Sequence, residues 1–233
     1  MTVCKIELEK VSLDFDGCTV LSDLSLRTAE KRIAVIGRNG SGKSTLARLV
    51  CGLIVPSEGC VTVDGIDVLN DRKMAVQTVG LLFQNPDHQI IFPTVLEEIS
   101  FGLRQIGQTS DIANDKARSI LNQFGCLDWS DRSIVSLSQG QRHLVCLLSI
   151  LAMSPRLLVL DEPFAGLDLP TKSYLAGLLE DLDQTILQIT HDTNSIAAYD
   201  RAIWLEQGSV QQDAPPAEVL PNFQAAMQEV YAL

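Results

Sequence analysis

The chain has 233 residues, 46% of them hydrophobic and 20% charged, with a formal net charge of −11 and a pI near 4.6. That length suits one α/β domain with an inserted lobe and excludes two full domains, while the apolar content excludes a disordered chain. The acidic balance, with no basic run to gather on one face, argues against a nucleic-acid partner.

Residues 5–15 alternate Ile6 and Leu8 with Glu7 and Glu9, which predicts a half-buried antiparallel strand. Residues 33–36 are a short apolar run of the kind buried in parallel sheets, and a helix carrying Leu46, Leu49 and Val50 follows. Residues 61–68 hold Asp64 and Gly65 between two β-rich arms, a hairpin signal. With the first strand they predict a small antiparallel sheet beside the core. Residues 79–83 read as another buried strand. Between Pro86 and Pro155 the pattern turns helical over 94–103, 112–124 and 138–152, predicting an inserted helical lobe. Core strands follow at 157–160, 185–189 and 202–205, and the chain ends in a short helical tail.

The six cysteines, Cys4, Cys18, Cys51, Cys60, Cys126 and Cys146, are scattered without a CxxC pair. They read as reduced cytosolic residues, not as a zinc or disulfide framework. The longest apolar stretch, residues 144–153, is well short of the ~20 residues that cross a bilayer, and the first residues lack the apolar core of a signal peptide. A soluble or peripheral protein is expected.

Chemistry concentrates in three places. The run GRNGSGKST, Gly37 to Thr45, follows a predicted strand and opens a predicted helix, the context a phosphate-binding loop requires. Its glycines let backbone N–H groups converge on phosphate oxygens at a helix N-terminus; Lys43 would reach the β and γ phosphates, and Ser44 would ligate Mg²⁺. Asp161 and Glu162 end the strand LLVL, at the edge where open α/β sheets place ligands. Asp161 would hold Mg²⁺ through water, and Glu162 would act as general base on the attacking water. His191 ends another buried strand and should point to the same edge.

Together these segments resemble the ATPase subunit of an ABC transporter over essentially the whole chain. GRNGSGKST resembles that family's Walker A motif, Gln84 its Q-loop glutamine, LSQGQ (Leu137 to Gln141) its signature, LLVLDE its Walker B motif, AGLD (Ala165 to Asp168) its D-loop and His191 its switch histidine, all in family order. The resemblance implies a P-loop NTPase (RecA-like) fold: a parallel-sheet core with an antiparallel β lobe, about 1–85 and 156–233, and a helical lobe, about 86–155, in one domain. It implies ATP and Mg²⁺ as cofactors and catalysis by Glu162, His191, Gln84 and Lys43. ATP would contact Phe15 as an adenine-stacking aromatic and Gly37, Arg38, Asn39, Gly40, Ser41, Gly42, Lys43, Ser44 and Thr45. A second subunit, paired head to tail, would add Ser138, Gln139, Gly140, Gln141 and Asp168 in trans. Mg²⁺ would bind Ser44, Gln84 and Asp161. Gln139 departs from the usual glycine, Leu144 from a common arginine, and Phe164 and Ala165 from small polar residues; Ser138 and Gly140 remain.

The segment QNPDHQIIFPTVLEEISFG, Gln84 to Gly102, is similar to that of energy-coupling-factor importers, which take up vitamins and metal ions. The likeness implies an extra short helix after Gln84 and a groove at Asp87 to Phe92, with Ile90, Ile91 and Phe92 exposed. That groove would receive a transmembrane coupling (T) subunit, itself joined to a substrate-binding membrane (S) subunit. The chain's end at Leu233 fits a compact homodimeric ATPase of the biotin-importing type, peripheral to the cytoplasmic face of the bacterial inner membrane. A cobalt or nickel importer is the alternative, since another polypeptide chooses the solute. A soluble ATPase of the iron–sulfur scaffold type is a second alternative. A chromosome or DNA-repair ATPase is weaker, because neither a coiled coil nor a zinc module is present.

Overall fold

A computed structural model describes residues 3–231 of the chain. Strand β1 (Ile6–Phe15) buries Ile6, Leu8, Val11 and Leu13. Leu8 and Val11 are three residues apart yet share a face, because a bulge with Lys10 at φ 48° resets the alternation. Asp16 and Gly17, both at positive φ, turn the chain into antiparallel β2 (Cys18–Thr28), as a two-residue hairpin requires.

The buried run then forms β3 (Arg32–Ile36), followed by α1 (Lys43–Val50). Strands β4 (Glu58–Val63) and β5 (Ile66–Asp67) make the expected hairpin about Asp64 and Gly65, and complete a sheet of order β2-β1-β4-β5. Helix α2 (Arg72–Thr78), capped by Asp71, leads to β6 (Val79–Leu82). Next come α3 (Val95–Gln105), α4 (Ser110–Gln123) and α5 (Gln139–Ala152), then β7 (Leu157–Asp161), α6 (Leu169–Glu180), β8 (Thr185–Ile189), β9 (Arg201–Glu206), β10 (Ser209–Ala214) and α7 (Pro216–Tyr231).

The chain divides into two units. The first holds the described residues up to Val79, Arg156–Pro163, and those from Asp183 onward. Within it the larger sheet runs β10-β9-β3-β8-β7, with β3 parallel to both β8 and β9. Ile33 to Ile36 and Leu157 to Leu160 are fully buried, as continuous apolar strands covered on both faces must be. Strand β6 begins in this unit and carries the chain out of it.

The second unit comprises Gly80–Pro155 and Phe164–Leu182. Helix α3 buries Val95, Ile99 and Leu103, and α4 buries Ala113, Ala117 and Leu121, i, i+4 stripes that pack helix on helix. Helix α5 is buried from His143 to Leu148. The sequence reading confined this lobe to about 86–155, whereas the contacts add residues 80–85 and 164–182. The reason for the second addition is local: a Cβ on Gly140 would lie 2.5 Å from the Thr171 Cγ2, so a glycine lets the first turn of α6 sit directly on that of α5.

Candidate nucleotide site

The first unit assembles its polar groups at one edge of the parallel sheet. Strand register sets Val35 beside Ile189 and Ile189 beside Asp161, so the loops leaving β3, β7 and β8 depart at one level. Two backbone bonds fix them: Glu162 N–H donates to Ile189 O at 2.9 Å, and Thr190 N–H to Val35 O at 3.1 Å. This is the carboxyl edge at which α/β sheets bind ligands.

The loop after β3 is shaped by close approach. A Cβ on Gly37 would lie 2.0 Å from the Leu205 carbonyl oxygen, and Gly42 caps α1 at φ 102° with Leu21 Cδ2 2.7 Å from where its Cβ would be. Only glycine meets both demands. Lys43 is buried, and its Nζ donates to the Gly37 and Arg38 carbonyls at 2.8 Å each; an ammonium has a third proton for a phosphate. Burial pushes the Lys43 pKa down, against the pull of the Glu162, Asp161 and Glu206 carboxylates. The Ser41 hydroxyl is buried without a protein partner. Arg38, Asn39, Gly40 and Ser44 are exposed around this loop, and Thr45 is half-buried.

Ser44 Oγ donates to Asp161 Oδ1 at 3.1 Å. Burial raises the Asp161 pKa, and the Ser44 bond opposes that shift. A hydroxyl and a carboxylate so placed are the hard oxygen donors that Mg²⁺ takes, with water and phosphate completing its shell; the residues fit the ion. The orphaned Ser41 hydroxyl and the glycine-lined turn likewise fit a polyphosphate.

Glu162 has φ 50°, an uncommon value for a side chain this size, and the strain aims its carboxylate along the sheet edge. Oε1 lies 2.8 Å from His191 Nδ1, and Oε2 accepts from Thr190 Oγ1 at 3.3 Å. Glu162 is almost enclosed, its side chain 13% exposed, while His191 is 67% exposed. Thr190 was missed by the sequence reading, although it stands beside His191 and its hydroxyl holds both Glu162 and the Asp192 amide. Phe15, at the end of β1, is 68% exposed and not packed into the β lobe.

The remaining predicted residues lie in the helical unit. Ser138 caps α5 in a reciprocal box: its Oγ accepts from Gln141 N–H at 3.2 Å, and Gln141 Oε1 accepts from Ser138 N–H at 3.0 Å. The Gln141 side chain is therefore engaged at its own helix end, while the Ser138 hydroxyl keeps its proton to donate. Gln139 is exposed, and its Nε2 lies against Gly166 of the D-loop. Asp168 caps α6, accepting from Thr171 N–H at 2.9 Å; the Thr171 side-chain hydrogen bond first, and this backbone bond second, lower its pKa. Leu144 is buried and, with Trp129, Tyr174 and Thr171, lines a cavity of about 260 Å³ beside Ser138.

Gln84 is exposed just after β6, and a one-turn 3₁₀ helix, Pro86–His88, follows it. Of the three apolar residues expected at the surface, only Ile91 is exposed, at 68%; Ile90 and Phe92 are half-buried. The buried Glu98 carboxylate explains the difference, since one oxygen accepts the Ile91 and Phe92 amides at 2.9 Å each. This turns the Phe92 ring onto Phe101, with centroids 4.9 Å apart.

A glycine-rich turn holding a lysine, a Ser–Asp pair and a Glu–His pair on one sheet edge define a P-loop nucleotide hydrolase. Residues 21–165 match the ABC transporter family, and the chain belongs to that family as an ATP-binding, ATP-hydrolysing member. It is 52% identical over 223 residues to the biotin transport ATP-binding protein BioM of Rhodobacter capsulatus, covering 96% of this chain and 95% of that protein. It is 32% identical to the energy-coupling factor transporter ATP-binding protein EcfA1 of Fusobacterium nucleatum, covering 93% and 84%. Among solved structures it resembles CbiO1 of Clostridium perfringens, part of the ABC transporter complex cbiONQ, with TM-score 0.81, 28% identity and coverage of 96% and 93%. It also resembles MJ0796 in a dimeric post-hydrolysis state bound to ADP and Pi, with TM-score 0.80, 25% identity and coverage of 91% and 98%. Among the described residues no helix is long and apolar enough to cross a membrane.

Proposed function

We propose that the chain is the ATPase of an energy-coupling-factor importer for biotin. The observation that carries this reading is the 52% identity, over nearly the full length of both chains, to a protein named for biotin transport. Two copies pair head to tail, and each ATP lies between the Lys43–Ser44 loop of one and Ser138 of the partner subunit. Gln139, Gly140, Gln141 and Asp168 flank that contact. Ser44, Gln84 and Asp161 would hold Mg²⁺, which when bound would neutralise phosphate charge. Glu162 accepts the proton of the attacking water, and His191 holds the Glu162 carboxylate in place. ATP favours the closed pair only because Ser138 meets the γ-phosphate in that state and not in the open one.

Closure moves the Gln84–Phe92 surface, and the transmembrane T subunit docks at Asp87–Phe92 with Ile91 as the apolar contact; the S subunit binds the solute. The site of action is then the cytoplasmic face of the bacterial inner membrane. Purification of the protein from its native membrane tests the whole reading: integral T and S subunits should copurify, carrying biotin. Cobalt or nickel in place of biotin would move the assignment to a metal importer of the same type, and recovery with a soluble scaffold alone would overturn the importer.

A further inference from the structure

Residues 83–92 are tied to helix α5, within the helical unit, through one side chain that uses both ends of its amide. Gln89 Oε1 accepts from the Phe83 N–H at 3.3 Å, and Nε2 donates to the Cys146 carbonyl at 3.2 Å. Phe83 immediately precedes Gln84, and Cys146 lies about two turns along α5 from its cap at Ser138. Other ties reach the same segment: Arg142 pairs with Asp87 at 3.5 Å, and the Cys146 Sγ lies 3.9 Å from the Pro86 carbonyl. The Asp87 side chain is 63% exposed, so its ion pair is screened by solvent. Gln89 is half-buried, and its bridge needs an acceptor and a donor on one uncharged group, which the planar amide supplies.

We propose that Gln89 is a positioning residue for Gln84, relaying the position of the signature helix α5 to the backbone that carries the Mg²⁺-binding glutamine. The inference rests on the reading of Gln84 given above. It makes Gln89 the link by which a shift of α5 at Ser138 reaches the backbone of Gln84 within the helical unit.

The test uses the full chain with Gln84→Ala, Gln89→Glu, Gln89→Leu and the double variant Gln84→Ala/Gln89→Leu. Loss of one hydrogen bond of ordinary strength corresponds to about a tenfold effect. Gln89→Leu should therefore lower kcat about tenfold at unchanged KM for ATP and raise the half-saturating Mg²⁺ concentration. Gln89→Glu, which keeps the acceptor for Phe83 but loses the donor, should show the same kinetic loss. In the nucleotide-free protein, amide exchange at Phe83 should quicken about tenfold in Gln89→Leu and much less in Gln89→Glu. The double variant should be no slower than Gln84→Ala alone, because the two residues act as one unit. If Gln84→Ala slows hydrolysis while both Gln89 variants leave kcat, Mg²⁺ dependence and Phe83 exchange unchanged, the relay is wrong and the reading of Gln84 stands. Additive losses in the double variant, or losses that merely track a fallen Tm, also overturn the relay. Full activity of Gln84→Ala removes both.

Discussion

The Glu162 carboxylate and the His191 imidazole meet at 2.8 Å across the ends of two neighbouring parallel strands, with the Thr190 hydroxyl on the other carboxylate oxygen. In the proposed mechanism Glu162 is the general base; such a group must be oriented before it can act, and these two contacts would hold its carboxylate from both sides. Glu162→Gln keeps the shape and removes the basicity. Hydrolysis should fall by about 10²-fold or more while ATP binding persists and closed dimer accumulates; unchanged steady-state turnover would contradict the assignment. His191→Ala frees the carboxylate and should also slow turnover, measured in the same phosphate-release assay.

His143 sits in α5 with neither ring nitrogen hydrogen-bonded, and burial pushes its pKa from 6.5 down to about 4. The folded pKa lies below the unfolded one. The stabilising contribution is therefore complete above about pH 6.5 and is lost as pH falls toward 4, by about 3 kcal/mol in all. His143→Leu should flatten that acid limb and, by removing a buried unpaired polar ring, add about 1–3 kcal/mol at pH 7. Urea unfolding at pH 4.5 and pH 7 checks both; an unchanged pH slope would show that other groups carry it.

Gly140 and Thr171 join the first turns of α5 and α6. Gly140→Ala should destabilise the fold by about 1–3 kcal/mol, the range for overpacking, and depress ATPase activity by displacing Ser138. Adding Thr171→Ser removes the clashing methyl while the hydroxyl and the backbone N–H that bond Asp168 remain, so stability should largely return. Failure of the second substitution to restore the Tm would place the strain elsewhere.

Ile91 is the exposed apolar residue after the 3₁₀ turn, whereas Phe92 leans on Phe101. Ile91→Glu should release the membrane subunits while hydrolysis by the isolated chain continues. Pull-down from detergent extract reads this directly. A complex that survives the charge would rule out docking at this surface. Phe92 is the poorer probe, because a charge there would also disturb α3.

Much of the site was legible because its motifs are local. The P-loop, the Asp161–Glu162 strand end and His191 each occupy one strand and the turn after it, and hydrophobic runs of four or five residues marked those strands. Helix α6 escaped notice although Asp168 and Pro170, an N-cap and a first-turn proline, announce it; its weak amphipathic pattern hid it. Strand β2 follows a positive-φ turn at Asp16–Gly17, a signal readable in the sequence but passed over.

What the amino-acid order determined by itself was the inventory: a phosphate loop, a carboxylate pair, a histidine and a capped signature helix, each encoded within a few residues by backbone geometry and periodicity. Tertiary structure alone decided their relations. The Glu162–His191 contact joins residues 29 positions apart, and the Gln89–Cys146 bridge joins residues 57 apart. Such pairs form only when sheet register and helix packing close the intervening chain, and no local preference of either residue encodes its partner. The same packing turned Phe92 inward and left Ile91 facing out, a choice made by Glu98 from the next helix.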